Sequence, residues 1–143
     1  YFNSLFGKAN DEAKYVITGN NRDVNRYKWN IQNILKKLRN KESKQSNFYQ
    51  NITHLLNIRR KQKAFHPNGA RYNLNFGSKI FAFKRVSLDK KQSIICVTNL
   101  SSKIQNITLN KTYLRWKNLI KLQSKFDKQL VLGPFETIWL SNK

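Results

Sequence analysis

The sequence predicts an α+β chain, with a helical first part and an antiparallel all-β second part. Three observations carry this. Between Trp29 and Lys63 apolar residues recur at helical spacing. After Pro67-Asn68-Gly69 the period changes to two. Helical and strand segments are segregated along the chain, so no parallel βαβ domain can be built from it alone.

The elements follow in order. Residues 1–28 are rich in Asn, Gly and charged side chains without clear periodicity, and read as a long structured loop, a kind of segment that is usually functional or disordered. A short amphipathic helix follows over Trp29–Leu38, with Ile31, Ile34, Leu35 and Leu38 on one stripe and its end near Asn40-Lys41. A second helix is expected over Lys44–Lys63, with Phe48, Ile52, Leu55, Leu56 and Arg59 on one face and Ser43 or Ser46 as its cap. The cluster Arg59-Arg60-Lys61 falls at the C-terminal end of that helix, where its dipole favours cations, which explains the cluster without any nucleic acid.

In the second part Tyr72, Leu74 and Phe76 alternate, Ile80–Val86 and Gln92–Thr98 form a hairpin across Leu88–Lys91, and Ile104–Leu109 is a third strand. Weaker strands are expected near Leu114, Leu119 and Leu130, and Thr137–Leu140 closes the chain. The alternation puts Phe81 and Phe83 in a sandwich core.

Composition bounds the function. With 143 residues and 39% hydrophobic content the chain suits one ordinary domain or two small pieces with a packed core. It has no methionine, even at position 1, so processing or truncation upstream is expected. No signal-peptide pattern is visible, and no apolar run approaches the roughly 18 residues of a membrane span. Four Asn-x-Ser/Thr sequons, at Asn51, Asn99, Asn106 and Asn110, match chance in so asparagine-rich a chain. The net charge of +21 admits a nucleic-acid or anionic-surface binder. The basic residues are dispersed, however, with only small clusters at Lys36-Lys37, Arg59-Arg60-Lys61 and Lys90-Lys91, which favours a composition bias over all faces.

The lone Cys96, in Ser93-Ile94-Ile95-Cys96-Val97, reads as a small core hydrophobe and excludes an internal disulfide. With one cysteine and two separated histidines, no metal site has credible spacing and no cofactor is expected. His66 reads as a structural turn histidine and His54 as solvated on its helix. Trp116 and Trp139 read as core packing rather than a sugar platform. There is no Gly-rich phosphate loop.

Several segments together resemble one family, the sucrose phosphorylase-like branch of the α-amylase superfamily. Tyr1-Phe2-Asn3-Ser4-Leu5-Phe6-Gly7 looks like the end of the eighth strand of a (β/α)₈ TIM barrel and the start of its loop, continued by Asn10-Asp11. Asn21-Arg22-Asp23-Val24-Asn25-Arg26 looks like the family's Arg-x-Ile/Val-Asn-Arg element. Leu55-Leu56-Asn57-Ile58-Arg59 with Ala64-Phe65-His66-Pro67-Asn68-Gly69 looks like the last barrel helix and its exit, in a form nearer the glucosylglycerate phosphorylase side of the branch than the sucrose side. Phe81–Arg85, Ile95–Ser101 and Gly133–Leu140 look like strands of the C-terminal β-domain.

The resemblance implies residues 1–66 as the end of the catalytic barrel and 67–143 as an antiparallel β-sandwich, in a cytoplasmic enzyme. It implies a retaining α-glucosyl phosphorylase that passes glucose to inorganic phosphate, with the acceptor open among fructose, a phosphorylated fructose and glycerate. Retention needs two carboxylates about 5–5.5 Å apart. None of Asp11, Glu12, Asp23, Glu42, Asp89, Asp127 and Glu136 matches a catalytic position of the family, so the chain alone is expected to be inactive. Its catalytic groups would lie upstream.

Site loops of barrels sit at the C-terminal ends of the strands. Arg22 matches the family arginine that hydrogen-bonds glucose hydroxyls, a task suited to a rigid fork of donors. Asn21 and Asp23 are its neighbours in the substrate-binding loop. Arg26 braces the loop against Asp11 or Asp23. The competing readings are a basic nucleic-acid-binding β-module, supported if Phe81 and Phe83 stack on an exposed face, and a free-standing carbohydrate-binding module, which leaves the first loop and the helices unexplained.

Alone, the second helix should expose Phe48, Ile52, Leu55 and Leu56, so the isolated chain is expected to be marginally stable and to aggregate. Light scattering during a thermal scan checks this; a sharp, reversible melt of a monomer would contradict it.

Overall fold

The computed structural model describes residues 2–121 and 129–143. Tyr1 and Asp127, both considered above, lie outside the described residues. The chain divides into two compact units between Leu56 and Asn57.

In the first unit, the stretch expected to be one long loop is instead a series of short helical pieces: α1 (Phe2–Leu5), α2 (Glu12–Thr18) and a 3₁₀ turn (Asn21–Asn25). Each of the last two starts on a local cap. The Asp11 carboxylate accepts from Lys14 N at 3.0 Å, and the Asn20 side chain accepts from Arg22 N at 3.0 Å. Gly19, at φ 63°, ends α2 with its N–H on Tyr15 O at 2.8 Å. These pieces bury no residue in α2 or the turn, so no apolar stripe announces them in the sequence.

The expected helices are present as α3 (Ile31–Arg39) and α4 (Lys44–Arg60). Of the α3 stripe only Ile34 is buried, while Ile31 and Leu35 are exposed. The cap choice at α4 resolves to Ser43, whose Oγ accepts from Ser46 N at 3.1 Å. Ser46 is buried, and its hydroxyl donates to Leu38 O at the end of α3 at 3.1 Å. Phe6 is the buried anchor of the unit, edge-on to Trp29 with centroids 5.7 Å apart and stacked on Tyr49 at 5.8 Å. Next to it Gly7 has φ 57°, and a Cβ there would meet the Phe48 ring at 2.9 Å, so both backbone and packing demand glycine.

The second unit holds two antiparallel sheets. One runs in the order β1 (Ala70–Leu74), β2 (Ile80–Val86), β3 (Ser93–Asn99), β7 (Thr137–Ser141), β5 (Lys117–Asn118); the other pairs β4 (Gln105–Thr108) with β6 (Gln129–Leu132). Both feed one core, in which Ile80, Ala82, Ile95, Val97, Ile138 and Leu140 meet Ile107, Leu130 and Leu132. Leu114 corrects the expectation of a strand: it lies in a 3₁₀ turn (Lys111–Arg115) capped by Asn110.

The core face of β2 is also a correction. Ile80 and Ala82 take it, while Phe81 is 47% exposed and Phe83 half-buried on the opposite face. A period of two leaves a one-residue choice of face, and both sets of side chains here are apolar. The opposite face carries a second, smaller cluster of Ala64, Ile94 and Cys96 with Phe65, Phe83, Leu119 and Trp139.

Where the sheets join sits Asn99, fully buried. Its amide nitrogen donates to Lys103 O at 2.7 Å and Gly133 O at 2.8 Å, and its oxygen accepts from Ser101 N at 2.9 Å and Ser101 Oγ at 2.7 Å. Its own N–H reaches Glu136 O at 2.9 Å. Asn99→Ala strands several buried polar groups and should cost about 2–4 kcal/mol. Urea unfolding checks it; an unchanged midpoint would show that water replaces the amide.

Candidate functional site

The residues singled out for substrate binding share one turn. Asn21, Arg22 and Asp23 open the 3₁₀ segment, held by the Asn20 cap and by Asp23 N on Asn20 O at 2.9 Å. Asp11 N donates to Val24 O at 2.7 Å, fastening this turn to the start of α2. Asn21 and Arg22 are exposed. Asp23 is half-buried and lies 3.8 Å from Lys14 Nζ, so its partner is Lys14 and not Arg22. The expected brace from Arg26 is replaced for the same reason: Asp11 is spent capping α2, and Asp23 faces Lys14. Among the described residues neither Arg22 nor Arg26 forms an ion pair.

Beside this turn a polar cavity of about 150 Å³ is lined by Asn3, Ser4, Lys8, Asn10, Asn25 and Tyr27. Asn3 frames it by accepting from Trp29 Nε1 at 2.7 Å and donating to Asn25 O. Lys8 Nζ stands 4.4 Å from the centroid of the Tyr27 ring. Asn21, Arg22 and Asp23 do not line the cavity. Sequence reading missed Asn3 and Lys8 because isolated Asn and Lys residues in so polar a loop carry no distinguishing pattern.

The remaining candidates have structural surroundings. His66 Nδ1 accepts from Asn68 N at 3.2 Å in the turn before β1. Trp116 is buried in the main core, edge-on to Tyr113 at 4.9 Å, and Trp139 packs against Phe65 at 5.0 Å. Among the described residues no group of three or more His, Cys, Asp and Glu could hold a metal ion. The Lys121 ammonium and Gly133 N–H on its oxygens hold the Glu136 carboxyl below its ordinary range. The Ser87 hydroxyl and Lys91 N–H do the same for Asp89. Both carboxylates thereby tie their own loops together. No helix is long and apolar enough to cross a membrane among the described residues.

Burial pushes the Cys96 thiol up to about 12, only partly opposed by the Arg85 charge. Unfolding exposes a thiol of ordinary acidity, so the folded state retains a proton that the unfolded state releases. Stability from this group is whole below about pH 9 and is lost as pH rises toward 12. Wild type should therefore lose unfolding free energy more steeply than Cys96→Ala across that range, by up to about 1.4 kcal/mol per pH unit. Parallel curves would mean that the thiol is accessible to water.

Comparison with known proteins bears out the resemblance. No family model matches the chain. Over 99% of its length it is 28% identical to a glucosylglycerate phosphorylase of Spirochaeta thermophila, and over 98% it is 26% identical to one of Escherichia coli. The chain spans about a quarter of the length of these curated relatives, 26% and 24%. Solved enzyme structures share its fold. The trehalulose synthase MutB from Pseudomonas mesoacidophila matches 75% of this chain and 19% of its own, at 18% identity and a TM-score of 0.56. AmyP in complex with maltose matches 68% of this chain and 21% of its own, at 18% identity and a TM-score of 0.58.

Proposed function

We propose that this chain is the C-terminal part of a retaining α-glucosyl phosphorylase that transfers glucose from glucosylglycerate, or from sucrose, to inorganic phosphate. One observation carries the reading: relatives named glucosylglycerate phosphorylase align along essentially the whole chain. In this reading residues 1–66 close the catalytic barrel and 67–143 form its C-terminal β-sandwich. The nucleophile and the acid/base stand on the part of the enzyme that precedes this chain, and the chain alone is inactive. Neither nucleic acid nor membrane is a partner, and the enzyme works in the cytoplasm.

The chain's contribution to the site is the segment that ends in the 3₁₀ turn. Arg22 offers its guanidinium to the hydroxyls of the donor glucose, and its exposure and lack of an ion pair among the described residues support that role. A fork of fixed donors orients a ring whose anomeric carbon must meet a carboxylate within a fraction of an ångström. Asn21 flanks it. Asp23, leaning on Lys14, holds the turn toward α2.

Expressed with the coding sequence that precedes it, the wild type should release glucose 1-phosphate from glucosylglycerate or sucrose in the presence of phosphate. Arg22→Ala should lose about 100-fold in kcat/KM. Full activity in the variant would remove Arg22 from the site and leave the reaction standing. No release from either donor would overturn the reading itself.

A further inference from the structure

The face of the five-stranded sheet opposite the main core, which the proposed reaction does not use, carries a groove of about 390 Å³. It is lined by Phe65, Pro67, Phe83, Cys96 and Trp139, and its charged groups among the described residues are Arg59, Arg71 and Arg85. This volume lies within the span of small-ligand clefts, roughly 300–1,000 Å³.

The three arginines are not equivalent. Arg85 is committed: its Nε donates to Ala64 O at 3.2 Å and its Nη2 to His66 O, so it holds the turn between α4 and β1. Arg59 and Arg71 instead lie on rings. The Arg71 guanidinium carbon is 4.8 Å from the Phe83 centroid and 6.0 Å from that of Phe81; Arg59 is 5.8 Å from that of Phe65. A guanidinium resting on a ring is oriented by it, while its N–H donors, which lie in its own plane, stay available. Two oriented forks at one groove suit an acceptor with several oxygens and more than one negative charge. The aromatic walls suit a ligand with a flat or apolar body attached to that anion.

We propose that this groove binds a phosphate monoester, its phosphoryl oxygens on Arg59 and Arg71 and its body against Trp139 and Phe83. A sugar phosphate and a nucleoside monophosphate share this chemistry. Inorganic phosphate meets only half of it. The groove shares no residue with the substrate-binding turn and does not depend on the proposed reaction.

The test uses the chain expressed with the coding sequence that precedes it, labelled with 5-fluorotryptophan. The fluorine resonance of Trp139 is assigned by its loss in Trp139→Phe. Glucose 1-phosphate, adenosine monophosphate, inorganic phosphate and a single-stranded oligonucleotide are titrated in turn. Either monoester should shift the Trp139 resonance saturably, and which of the two binds more tightly names the body. Arg71→Ala should weaken that binding tenfold or more, and Arg71→Lys, which keeps charge but loses the fork, should restore little of it. Arg22→Ala should leave it unchanged. The proposal fails if inorganic phosphate binds as tightly as both monoesters, if Arg71→Ala binds normally while its thermal melt matches wild type, or if the resonance responds only to single-stranded oligonucleotide in a salt-dependent way.

Discussion

The second unit depends on one buried amide. A five-stranded and a two-stranded sheet share a core, but no backbone ladder joins them. At the end of β3, Asn99 does so with its side chain, reaching Lys103 O on the way into β4 and Gly133 O on the way out of β6. Where β3 pairing ends, its N–H takes Glu136 O at the entrance to β7. Four segments therefore meet at a group with two donors and an acceptor, all used. Apolar burial explains why the sheets stay together. This amide explains why they meet in one register, because each bond is satisfied at one offset only, and a slip would bury unpaired carbonyls.

The same economy appears with Arg85. A guanidinium set among the Ala64, His66 and Pro67 carbonyls turns the chain leaving α4 into β1, where Gly69 is also forced. A Cβ on Gly69 would stand 2.7 Å from Val86 O. Backbone carbonyls in a turn between a helix and a strand have no ladder to join, so a side chain with several donors closes the account. Basic residues in this chain are thus partly structural. Lys121 with Glu136 and Lys63 with Asp89 extend the pattern.

What the sequence made legible follows from how each element is stabilised. β2 is present over Ile80–Val86 as expected, and the hairpin to β3 follows. Strands and helices that bury an apolar face write their period into the chain. The pieces between Glu12 and Asn25 bury nothing and rest on Asp11, Asn20 and Gly19, residues common in any polar loop. Phe81 and Phe83 defeated the reading of faces because both sides of β2 are apolar, one for the core and one for the aromatic cluster. Asn99 showed as a sequon at the end of a strand-like segment, since an asparagine there does not reveal that it will be buried. Within the candidate site, Arg22 was found through its surrounding motif and not through any property of an arginine in a loop. The partners of Asp23 and Asp11 required coordinates.

The exposed Phe81 removes an argument against the nucleic-acid reading, and what replaces it is stronger. A surface that binds a nucleic-acid backbone must present cations in a continuous track at phosphate spacing. Here the cations of the aromatic groove each have a local partner: Arg85 the carbonyls it donates to, Arg59 and Arg71 the rings they stand over. They converge on one groove of nucleotide size rather than tracing a path. The net charge of +21 measures only the excess of 28 basic over 7 acidic residues. Their geometry decides what they can hold, and convergence favours a single compact anion over a strand.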